Sequence, residues 1–283
     1  MISLGLVGYP LDFSLSPVIH TAAMKYCGFE GNYALFPVAP DDLNELKELL
    51  DRVRKGRMTG LNITIPHKQK VLPLLNELTQ VAQAIGAVNT IFMRNGELIG
   101  DNTDAQGFIA DLHKYIPVKF GEREKGQKAL VIGAGGAARA VVYGLVNESW
   151  KVMVTARSSE KTKALIAQFP DHASCLTGIE YDRHGFQAEI SSMRLVINAT
   201  PVGMTPDVEN SPWPAGEPHP KNAIFYDLVY KPRETKFVQD ARASGLVAFN
   251  GLGMLVEQAA LAFKIWTGSD VPRELLLASL EEK

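Results

Sequence analysis

The chain has 283 residues, 46% hydrophobic and 21% charged, which is the composition of an ordinary globular protein long enough for two domains with real cores. Its formal net charge of −2 gives no electrostatic reason to expect a nucleic-acid partner or an anionic membrane surface. The two cysteines, Cys27 and Cys175, do not suggest a disulfide framework or a zinc site.

The N-terminus reads as a first strand over residues 2–7, since it lacks a basic region followed by a cleavable apolar segment. No apolar run in the sequence approaches the roughly 20 residues of a membrane span. We therefore expect a soluble, cytoplasmic protein with neither a membrane nor a nucleic acid among its partners.

Two serines follow the first strand, and a helix pattern occupies residues 18–26. Ser16 is a natural N-cap and Pro17 a natural first helical residue, so the spacing alone favours a capped helix. The alternative is that the hydroxyls of Ser14 and Ser16 bind a small carboxylate beside the positive end of that helix.

A predicted strand at 59–65 carries polar residues on one face, because alternation separates Asn62 and Thr64 from the apolar positions. Pro66 ends the strand and Lys68 follows at once. Buried polar side chains need a reason, and one reason is a polar floor with a lysine at its rim. The other interpretation is an edge strand with Lys68 in solvent. A strand at 33–38 and an amphipathic helix from 40–42 to about 55 precede this segment.

The next predicted strand, 86–92, contains Asn89 inside an apolar run. Asn95-Gly96 then predicts a tight hairpin turn. Asp101-Asn102-Thr103-Asp104 closes the first domain, and Asp104 precedes a helix pattern at 105–115. An aspartate in that place is commonly only an N-cap.

A glycine-rich turn opens the second domain. Gly133, Gly135 and Ala138 fit the spacing G-x-G-x-x-G/A between an apolar strand at 129–132 and a helix pattern at 137–146. A plain turn between strand and helix is the alternative. The strand and helix context favours a dinucleotide-binding unit, in which the helix N-terminus receives the phosphates.

The cofactor choice depends on the end of the next strand, predicted at 150–155. An NAD-binding site usually has an acid there for the ribose 2′-hydroxyl, whereas this sequence has Arg157. A guanidinium suits a 2′-phosphate, so the sequence favours NADP. The alternative is that Arg157 only caps a solvated loop, with Glu160 one helical turn away.

A later strand at 193–198 ends in Asn198-Ala199-Thr200, which should lie beside the cofactor because ligands bind at the carboxyl ends of parallel strands. A proline-rich loop follows at 205–221. Gln258 lies among apolar residues on a long predicted helix. The remaining elements are predicted at 223–228, 235–244, 246–249, 255–266 and 272–280.

Taken together, eight stretches in order make the chain resemble the shikimate dehydrogenase family over nearly its whole length. Their joint occurrence is far more specific than any one motif. The stretches are Ser14-Leu15-Ser16-Pro17, Asn62 to Lys68, Gly86-Ala87-Val88-Asn89-Thr90, Asp101-Asn102-Thr103-Asp104, Gly133 to Ala137, Asn198 to Met204, Asp227-Leu228-Val229-Tyr230 and Gly251 to Gln258.

The resemblance implies an α/β protein with an N-terminal α/β substrate domain, a Rossmann-type doubly wound NADP-binding domain and a cleft between them. The first domain would span 1–104, completed by C-terminal helices at 252–283, and the second 105–251. The implied reaction is the reversible NADPH-dependent reduction of 3-dehydroshikimate to shikimate, on the route to chorismate and the aromatic amino acids. The expected assembly is a monomer or homodimer.

The resemblance also implies site residues. Lys68 and Asp104 would be the catalytic pair, with a lysine ammonium supplying both a proton and a positive charge to the developing alkoxide. No metal is required. The implied substrate-binding residues are Ser14, Ser16, Asn62, Thr64, Lys68, Asn89, Asp104, Tyr230 and Gln258. The implied cofactor-binding residues are Gly133, Ala134, Gly135, Gly136, Ala137, Ala156, Arg157, Ser158, Lys161, Asn198, Ala199, Thr200, Leu228, Gly251 and Met254.

One departure concerns the cofactor: the family commonly has Asn-Arg-Thr where this chain has Ala156-Arg157-Ser158. The arginine remains, so NADP is kept, with some dual NAD use possible. The nearest alternative function is a paralogue that oxidises quinate, against which the two serines argue.

Two further alternatives are less consistent with the residues. A non-catalytic NADP-binding protein of this fold would be expected to lack Lys68 or Asp104. A folate-linked dehydrogenase would not explain the serine pair or Tyr230.

Overall fold

The computed structural model describes residues 1–116, 126–181 and 189–281. The chain divides into two compact units: unit 1 consists of Met1–Gly107 and Leu255–Lys283, and unit 2 of Phe108–Met254. Over the described ranges, no helix combines the length and apolar character needed to cross a membrane.

The secondary structure alternates strands with helices in both units, as the sequence pattern predicts. The strands are β1 (Ile2–Gly8), β2 (Gly31–Pro37), β3 (Gly60–Ile63), β4 (Glu77–Leu78), β5 (Thr90–Arg94), β6 (Glu97–Asp101), β7 (Lys128–Ile132), β8 (Lys151–Thr155), β9 (Leu176–Gly178), β10 (Met193–Asn198), β11 (Ile224–Asp227) and β12 (Val247–Phe249). The α-helices are α1 (Ser16–Tyr26), α2 (Leu43–Arg54), α3 (Gln80–Ile85), α4 (Asp104–Tyr115), α5 (Gly136–Asn147), α6 (Ser159–Ile166), α7 (Lys236–Ala243), α8 (Leu252–Thr267) and α9 (Arg273–Ala278).

Unit 1 is built on a six-stranded mixed sheet in the order β2-β1-β3-β5-β6-β4. β1 is parallel to β2 and to β3, whereas β5 is antiparallel to β3 and to β6. The amphipathic helix α2 buries its leucine stripe in the same cluster as Leu61 and Ile63 of β3. Asp42 caps that helix by accepting from the Glu45 N–H at 2.9 Å.

Unit 2 has a six-stranded, wholly parallel sheet in the order β12-β11-β10-β7-β8-β9. Counted from β7, this is the order 3-2-1-4-5-6 of a dinucleotide-binding fold, which confirms the predicted Rossmann-type architecture. Alternate residues of β7 enter cores on opposite faces: Ala129 and Val131 on one, Leu130 and Ile132 on the other. A sheet covered on both faces explains the continuous apolar run of β7.

Most predicted boundaries agree with the structure to within a few residues, and two differ in an informative way. The strand expected at 86–92 begins only at Thr90, because Gly86 adopts a left-handed conformation that ends α3. The hairpin at Asn95-Gly96 is confirmed, with φ angles of 55° and 83° in the turn between β5 and β6. β9 was not predicted, since a three-residue strand leaves no periodicity to detect.

Candidate active site

The predicted substrate residues of unit 1 are brought to one edge of its sheet by strand direction. Because β1 and β3 are parallel neighbours, Ser14 after β1 and Thr64 and Lys68 after β3 leave the sheet at the same edge. The antiparallel β5 starts at that edge, directly after Asn89. β6 ends there, shortly before Asp104. Residues from four separate strand ends therefore converge.

A lysine–aspartate pair lies at this edge. Lys68 Nζ donates to Asp104 Oδ2 at 2.5 Å, and the two side chains are only 12% and 6% exposed. Asn102 positions the start of α4, since its Oδ1 accepts from the Asp104 N–H at 3.0 Å. The Val88 N–H binds the Lys68 carbonyl at 2.8 Å and fixes the backbone on the lysine side. A buried, geometrically held ammonium next to a carboxylate is suited to proton transfer.

Asn89 holds the second oxygen of the carboxylate. Its Nδ2 donates to Asp104 Oδ1 at 2.8 Å and to Thr103 Oγ1 at 2.9 Å. Its Oδ1 accepts from the Thr103 N–H at 2.8 Å, so the amide presents its NH₂ group to the aspartate. Each Asp104 oxygen thus has its own donor, which defines the orientation of the carboxylate.

Gln258, from α8, completes this cluster within unit 1. Its Oε1 lies 3.4 Å from Asn89 Nδ2, and its Nε2 donates to the Leu255 carbonyl at 2.8 Å. α4 reaches α8 closely because Gly107 has no side chain: a Cβ there would lie 2.8 Å from the Gln258 backbone nitrogen. Gln258 is half-buried, so its amide can turn toward a ligand.

The serine pair is arranged differently from the capped helix that the spacing predicted. α1 begins at Ser16 itself, and the N-cap position is Leu15, which offers no side-chain hydrogen bond. Ser16 is therefore not the N-cap, a correction to the prediction. Ser14 Oγ accepts from the Ser16 N–H at 3.3 Å. The N–H groups of Val18 and Ile19 both bind the Leu15 carbonyl, and Pro17 has none, so what the start of α1 offers an anion is the positive end of the helix dipole and the two serine hydroxyls.

Two other predicted substrate residues are set in the strand β3 and just beyond it. Thr64 is half-buried, and Gly8 makes room for it, since a Cβ on Gly8 would lie 2.3 Å from Thr64 Cγ2. Asn62 is 5% exposed and bonds within the unit: its Oδ1 accepts from Tyr33 and its Nδ2 donates to the Asn89 carbonyl. The Asn62 amide is thus held by protein groups, and its predicted role in substrate binding stays a prediction.

In unit 2 the glycine turn has the geometry that a pyrophosphate needs. Gly133 has a φ of 127°, and a Cβ on it would lie 2.8 Å from the Ala199 carbonyl oxygen. Gly135 is exposed, with open space where a Cβ would be, and forms the N-cap of α5 without a side-chain bond. The N–H groups at the start of α5, in the stretch that also contains Ala134, Gly136 and Ala137, therefore lie next to a residue without a side chain and with open space beside it. The residues present fit a dinucleotide phosphate.

The end of β8 carries two exposed cations, Arg157 and Lys161, at the start of α6. Ser158 caps that helix by accepting from the Lys161 N–H at 3.3 Å, and Ala156 precedes the arginine. The charge of Arg157 reaches Tyr181, where it offsets part of the rise in phenol pKa that burial causes. Two cations beside a helix N-terminus suit a 2′-phosphate.

Asn198, predicted as a cofactor residue, uses its side chain to shape the turn after β10. Its Oδ1 accepts from the Thr200 N–H at 2.9 Å and from the Thr200 hydroxyl at 2.7 Å. Its Nδ2 donates to Asp227 Oδ1 at 2.8 Å. The Ala199 N–H continues the sheet by binding the Ile132 carbonyl at 2.8 Å. A ligand here meets the backbone of this turn.

Asp227 is a residue of this site to which the sequence assigned no role. It is fully buried at the end of β11 and accepts from Asn198, from the Val229 N–H at 2.9 Å and from the Thr235 hydroxyl at 2.5 Å. Burial raises its pKa to about 7, against three donors that lower it. A polar residue ending a buried strand was visible in the sequence, but its partners were not.

The remaining predicted cofactor residues include a close approach of two backbone segments, at Gly251 and Leu228. A Cβ on Gly251 would lie 2.2 Å from the Leu228 carbonyl oxygen, so only glycine fits there. Met254, on the first turn of α8, is buried.

Tyr230 is half-buried in the loop after β11 and belongs to unit 2, unlike the other predicted substrate residues. Across the described ranges, no cluster of His, Cys, Asp or Glu is arranged to hold a metal ion.

Comparison with known proteins identifies the family. A shikimate dehydrogenase substrate binding domain model matches residues 6–91, a shikimate / quinate 5-dehydrogenase model matches 118–228, and a shikimate 5′-dehydrogenase C-terminal domain model matches 251–281. The chain belongs to the shikimate dehydrogenase family. The NADP(+) shikimate dehydrogenase of Salinibacter ruber is 39% identical over 284 residues, covering 97% of this chain and 95% of that protein.

Two solved structures that resemble this chain differ in their names and bound cofactors. Shikimate 5-dehydrogenase from Thermus thermophilus, in complex with NADP(H) and shikimate, is 36% identical with a TM-score of 0.85 and covers 100% of this chain and 99% of its own. Quinate dehydrogenase from Corynebacterium glutamicum, in complex with NAD, is 31% identical with a TM-score of 0.86 and covers 100% and 99%. Solved structures similar to this chain thus include a shikimate 5-dehydrogenase holding NADP(H) and a quinate dehydrogenase holding NAD.

Proposed function

We propose that the chain is an NADP-dependent shikimate dehydrogenase, which reversibly reduces 3-dehydroshikimate to shikimate. The observation that carries the proposal is the Lys68–Asp104 pair, held at 2.5 Å with the second Asp104 oxygen bound by Asn89. Relatives named as NADP(+) shikimate dehydrogenases, at 39% identity over 97% of the chain, support the substrate and cofactor.

The proton transfer is assigned to Lys68. NADPH, when bound, supplies the hydride to the ketone carbon of the substrate. As the carbonyl oxygen gains negative charge, the Lys68 ammonium stabilises it and donates a proton to it. Asp104 keeps the ammonium in place and balances its charge. In the oxidative direction, neutral Lys68 accepts the proton from the ring hydroxyl.

Substrate binding is assigned to groups whose hydrogen-bonding capacity suits a polyhydroxylated acid. The hydroxyls of Ser14 and Ser16, beside the positive end of α1, would bind the carboxylate. The predicted substrate role of Tyr230 stays a prediction. The ring hydroxyls are assigned to Thr64, Asn89, Asp104 and Gln258. Asn62 stays a predicted member of this set, and its amide, like that of Asn89, also bonds to protein groups.

Cofactor binding is assigned to unit 2. The backbone of 133–137 would bind the pyrophosphate, and Arg157 with Lys161 the 2′-phosphate of the adenosine ribose. The turn at 198–200, Leu228, Gly251 and Met254 would line the path toward the nicotinamide. The predicted cytoplasmic location and monomeric or dimeric state stay predictions.

A second candidate is a quinate-oxidising or NAD-using member of the same family. Ala156 favours it, since the side chain commonly found at this position would contact the adenosine. Retention of both serines and of Arg157 favours shikimate and NADP.

The test is the initial rate of reduced-cofactor formation with shikimate or quinate, each with NADP or NAD. Fast turnover confined to shikimate with NADP is expected. Turnover mainly with quinate or NAD would establish the second candidate. If no pair turns over although NADP protects the protein against thermal unfolding, the chain binds cofactor without catalysing this reaction.

A further inference from the structure

Tyr33 begins a buried chain of hydrogen bonds that leads to the proposed catalytic pair. Its hydroxyl donates to Asn62 Oδ1 at 2.7 Å, and the two residues are 8% and 5% exposed. Tyr33 lies on β2, two strands away from β3, and no substrate or cofactor role is assigned to it. The two buried polar groups thus satisfy each other, and neither can change its orientation without leaving a buried group unpaired.

The next links pass from Asn62 to Asn89. With its oxygen bound to Tyr33, Asn62 must direct its Nδ2 toward the Asn89 carbonyl, at 3.0 Å, and Thr90 Oγ1, at 3.3 Å. Because Thr90 Oγ1 accepts a hydrogen bond from Asn62, the Thr90 hydroxyl can donate its own hydrogen to Asn89 Oδ1, at 2.9 Å. The orientation of one amide therefore determines that of the next.

The last link reaches the carboxylate. With Oδ1 occupied by Thr90 and by the Thr103 N–H, Asn89 presents its Nδ2 to Asp104 Oδ1 at 2.8 Å. Asp104 Oδ2 is then the oxygen left for Lys68. Reversing the Asn62 amide would place its oxygen against the Asn89 carbonyl oxygen, and reversing the Asn89 amide would place its oxygen against Asp104 Oδ1.

Tyr33 is itself held by stacking. The His20 ring lies parallel to it, with centroids 4.4 Å apart and an interplanar angle of 5°, and Trp266 packs on His20 at 5.4 Å. Trp266 is anchored by its Nε1, which donates to the Ile91 carbonyl at 3.0 Å. Packing thus holds the Tyr33 ring independently of its hydrogen bond to Asn62. A side chain held in this way is suited to orienting its hydrogen-bond partner.

We propose that Tyr33, acting through Asn62, is a positioning residue for the Asp104–Lys68 pair. It fixes the Asn62 amide, and through Thr90 and Asn89 it fixes the Asp104 carboxylate in the orientation that holds the lysine. The proposal rests on the proposed dehydrogenase function only for its kinetic consequence. The hydrogen-bond order itself can be tested without turnover.

The kinetic test compares Tyr33→Phe with wild type, using Tyr26→Phe, an exposed tyrosine of the same unit, as matched control. Tyr33→Phe is expected to lower kcat about tenfold while changing the shikimate KM less than about threefold, since misplaced catalytic groups slow the reaction more than they weaken binding. Tyr26→Phe should leave both unchanged. A lower melting temperature with unchanged kcat would overturn the proposal and make Tyr33 structural.

A double-mutant cycle tests whether the effect passes through Asn62. In an Asn62→Leu background, or Asn62→Ala if that variant does not fold, Tyr33→Phe should lower kcat by less than about twofold further. A full second tenfold loss would show that Tyr33 acts by another route.

A spectroscopic readout separates this proposal from the proposed function. In the ¹⁵N-labelled protein, the side-chain NH₂ resonances of Asn89 should shift and exchange faster with solvent in Tyr33→Phe, but not in Tyr26→Phe. If wild type shows no shikimate turnover, the proposed function fails while this readout still decides the hydrogen-bond order. Unchanged Asn89 resonances in Tyr33→Phe would overturn the positioning role.

Discussion

Lys68 Nζ and Asp104 Oδ2 lie 2.5 Å apart and join the loop after β3 to the first turn of α4. The two residues are 36 positions apart in the chain, yet both are nearly buried and backbone-anchored on either side. Because Asn89 also binds the second oxygen of Asp104, the carboxylate has a fixed orientation toward Lys68. The proposed reaction should therefore slow when Lys68 is removed.

Replacing Lys68 by alanine is expected to lower kcat by about 10²–10⁴-fold, the usual contribution of a positioned acid–base group. The shikimate dissociation constant should change little, because the serine, threonine and asparagine contacts remain. Steady-state kinetics and equilibrium binding measure the two effects separately. Lys70→Ala is the matched control, since that exposed lysine binds the Pro40 carbonyl at 2.7 Å and lies on the same loop. If Lys68→Ala turns over as fast as wild type, Lys68 is not the group that transfers the proton.

Replacing Arg157 by alanine should raise the NADP KM about ten- to a hundredfold, the range expected for losing a hydrogen-bonded charge pair with a phosphate. NAD has no 2′-phosphate, so its KM should stay nearly the same. Lys163→Ala, an exposed cation on the far turn of α6, is the control for a general loss of positive charge. Equal losses with both cofactors would instead assign Arg157 to the structure of the loop.

The sequence was sufficient for the architecture of unit 2, because a buried parallel strand, a glycine turn and a helix are all local patterns. It also placed Thr64 and Lys68 at the end of a strand, Asn89 inside one and Asp104 just before a helix. It could not give the strand order β2-β1-β3-β5, which brings these residues to one edge of the sheet. Non-local pairing of this kind leaves no periodicity in the chain.

Individual side-chain roles were the least predictable. Asn62 was expected to bind substrate, which stays a prediction, but the sequence did not indicate that its oxygen accepts from Tyr33 of β2, a partner 29 residues earlier. Ser16 was expected to cap α1, but the helix includes it, so its hydroxyl does not take the capping position. In both cases the polar residue was recognised as unusual, and the partner that determines its role lay outside the local pattern.

His20 is expected to make the protein sensitive to acid. Burial lowers its pKa to about 3, although a contact with Asn62 raises it, whereas an unfolded histidine titrates near 6.5. Between these values the unfolded state binds a proton that the folded state does not, so stability present above pH 6.5 is lost as the pH falls toward 3. The loss is about 1.4 kcal/mol per pH unit.

Replacing His20 by phenylalanine keeps a ring against Tyr33 and removes this titration. Urea unfolding at pH 6 and pH 4.5 should show a smaller decrease in unfolding free energy for His20→Phe than for wild type. The same decrease in both proteins would mean that other groups govern the acid side of the stability profile.

Asp227 is expected to make the protein less stable as the pH rises, which is the opposite of the effect of His20. Its pKa is raised by burial to about 7, against 3.8 in the unfolded chain, so between these values the folded state keeps a proton that the unfolded state has released. The stability associated with this proton is present at low pH and is lost as the pH rises through 7. The charged carboxylate that remains above pH 7 is the costly form, despite its three donors.

Asp227→Asn mimics the protonated form. The new amide can still accept from Asn198 and Val229 through its oxygen, while its NH₂ group faces the Thr235 hydroxyl, which can turn to accept. Urea unfolding should therefore show the variant gaining up to about 3 kcal/mol relative to wild type between pH 4.5 and pH 7.5, because the wild-type carboxyl titrates up to about pH 7 and each pH unit below that contributes about 1.4 kcal/mol. Asp227→Leu removes the acceptor and should lose stability at both pH values, because three buried donors are left unpaired. An Asp227→Asn variant that loses as much at pH 7.5 as at pH 4.5 would show that the three donors keep this carboxylate ionised throughout.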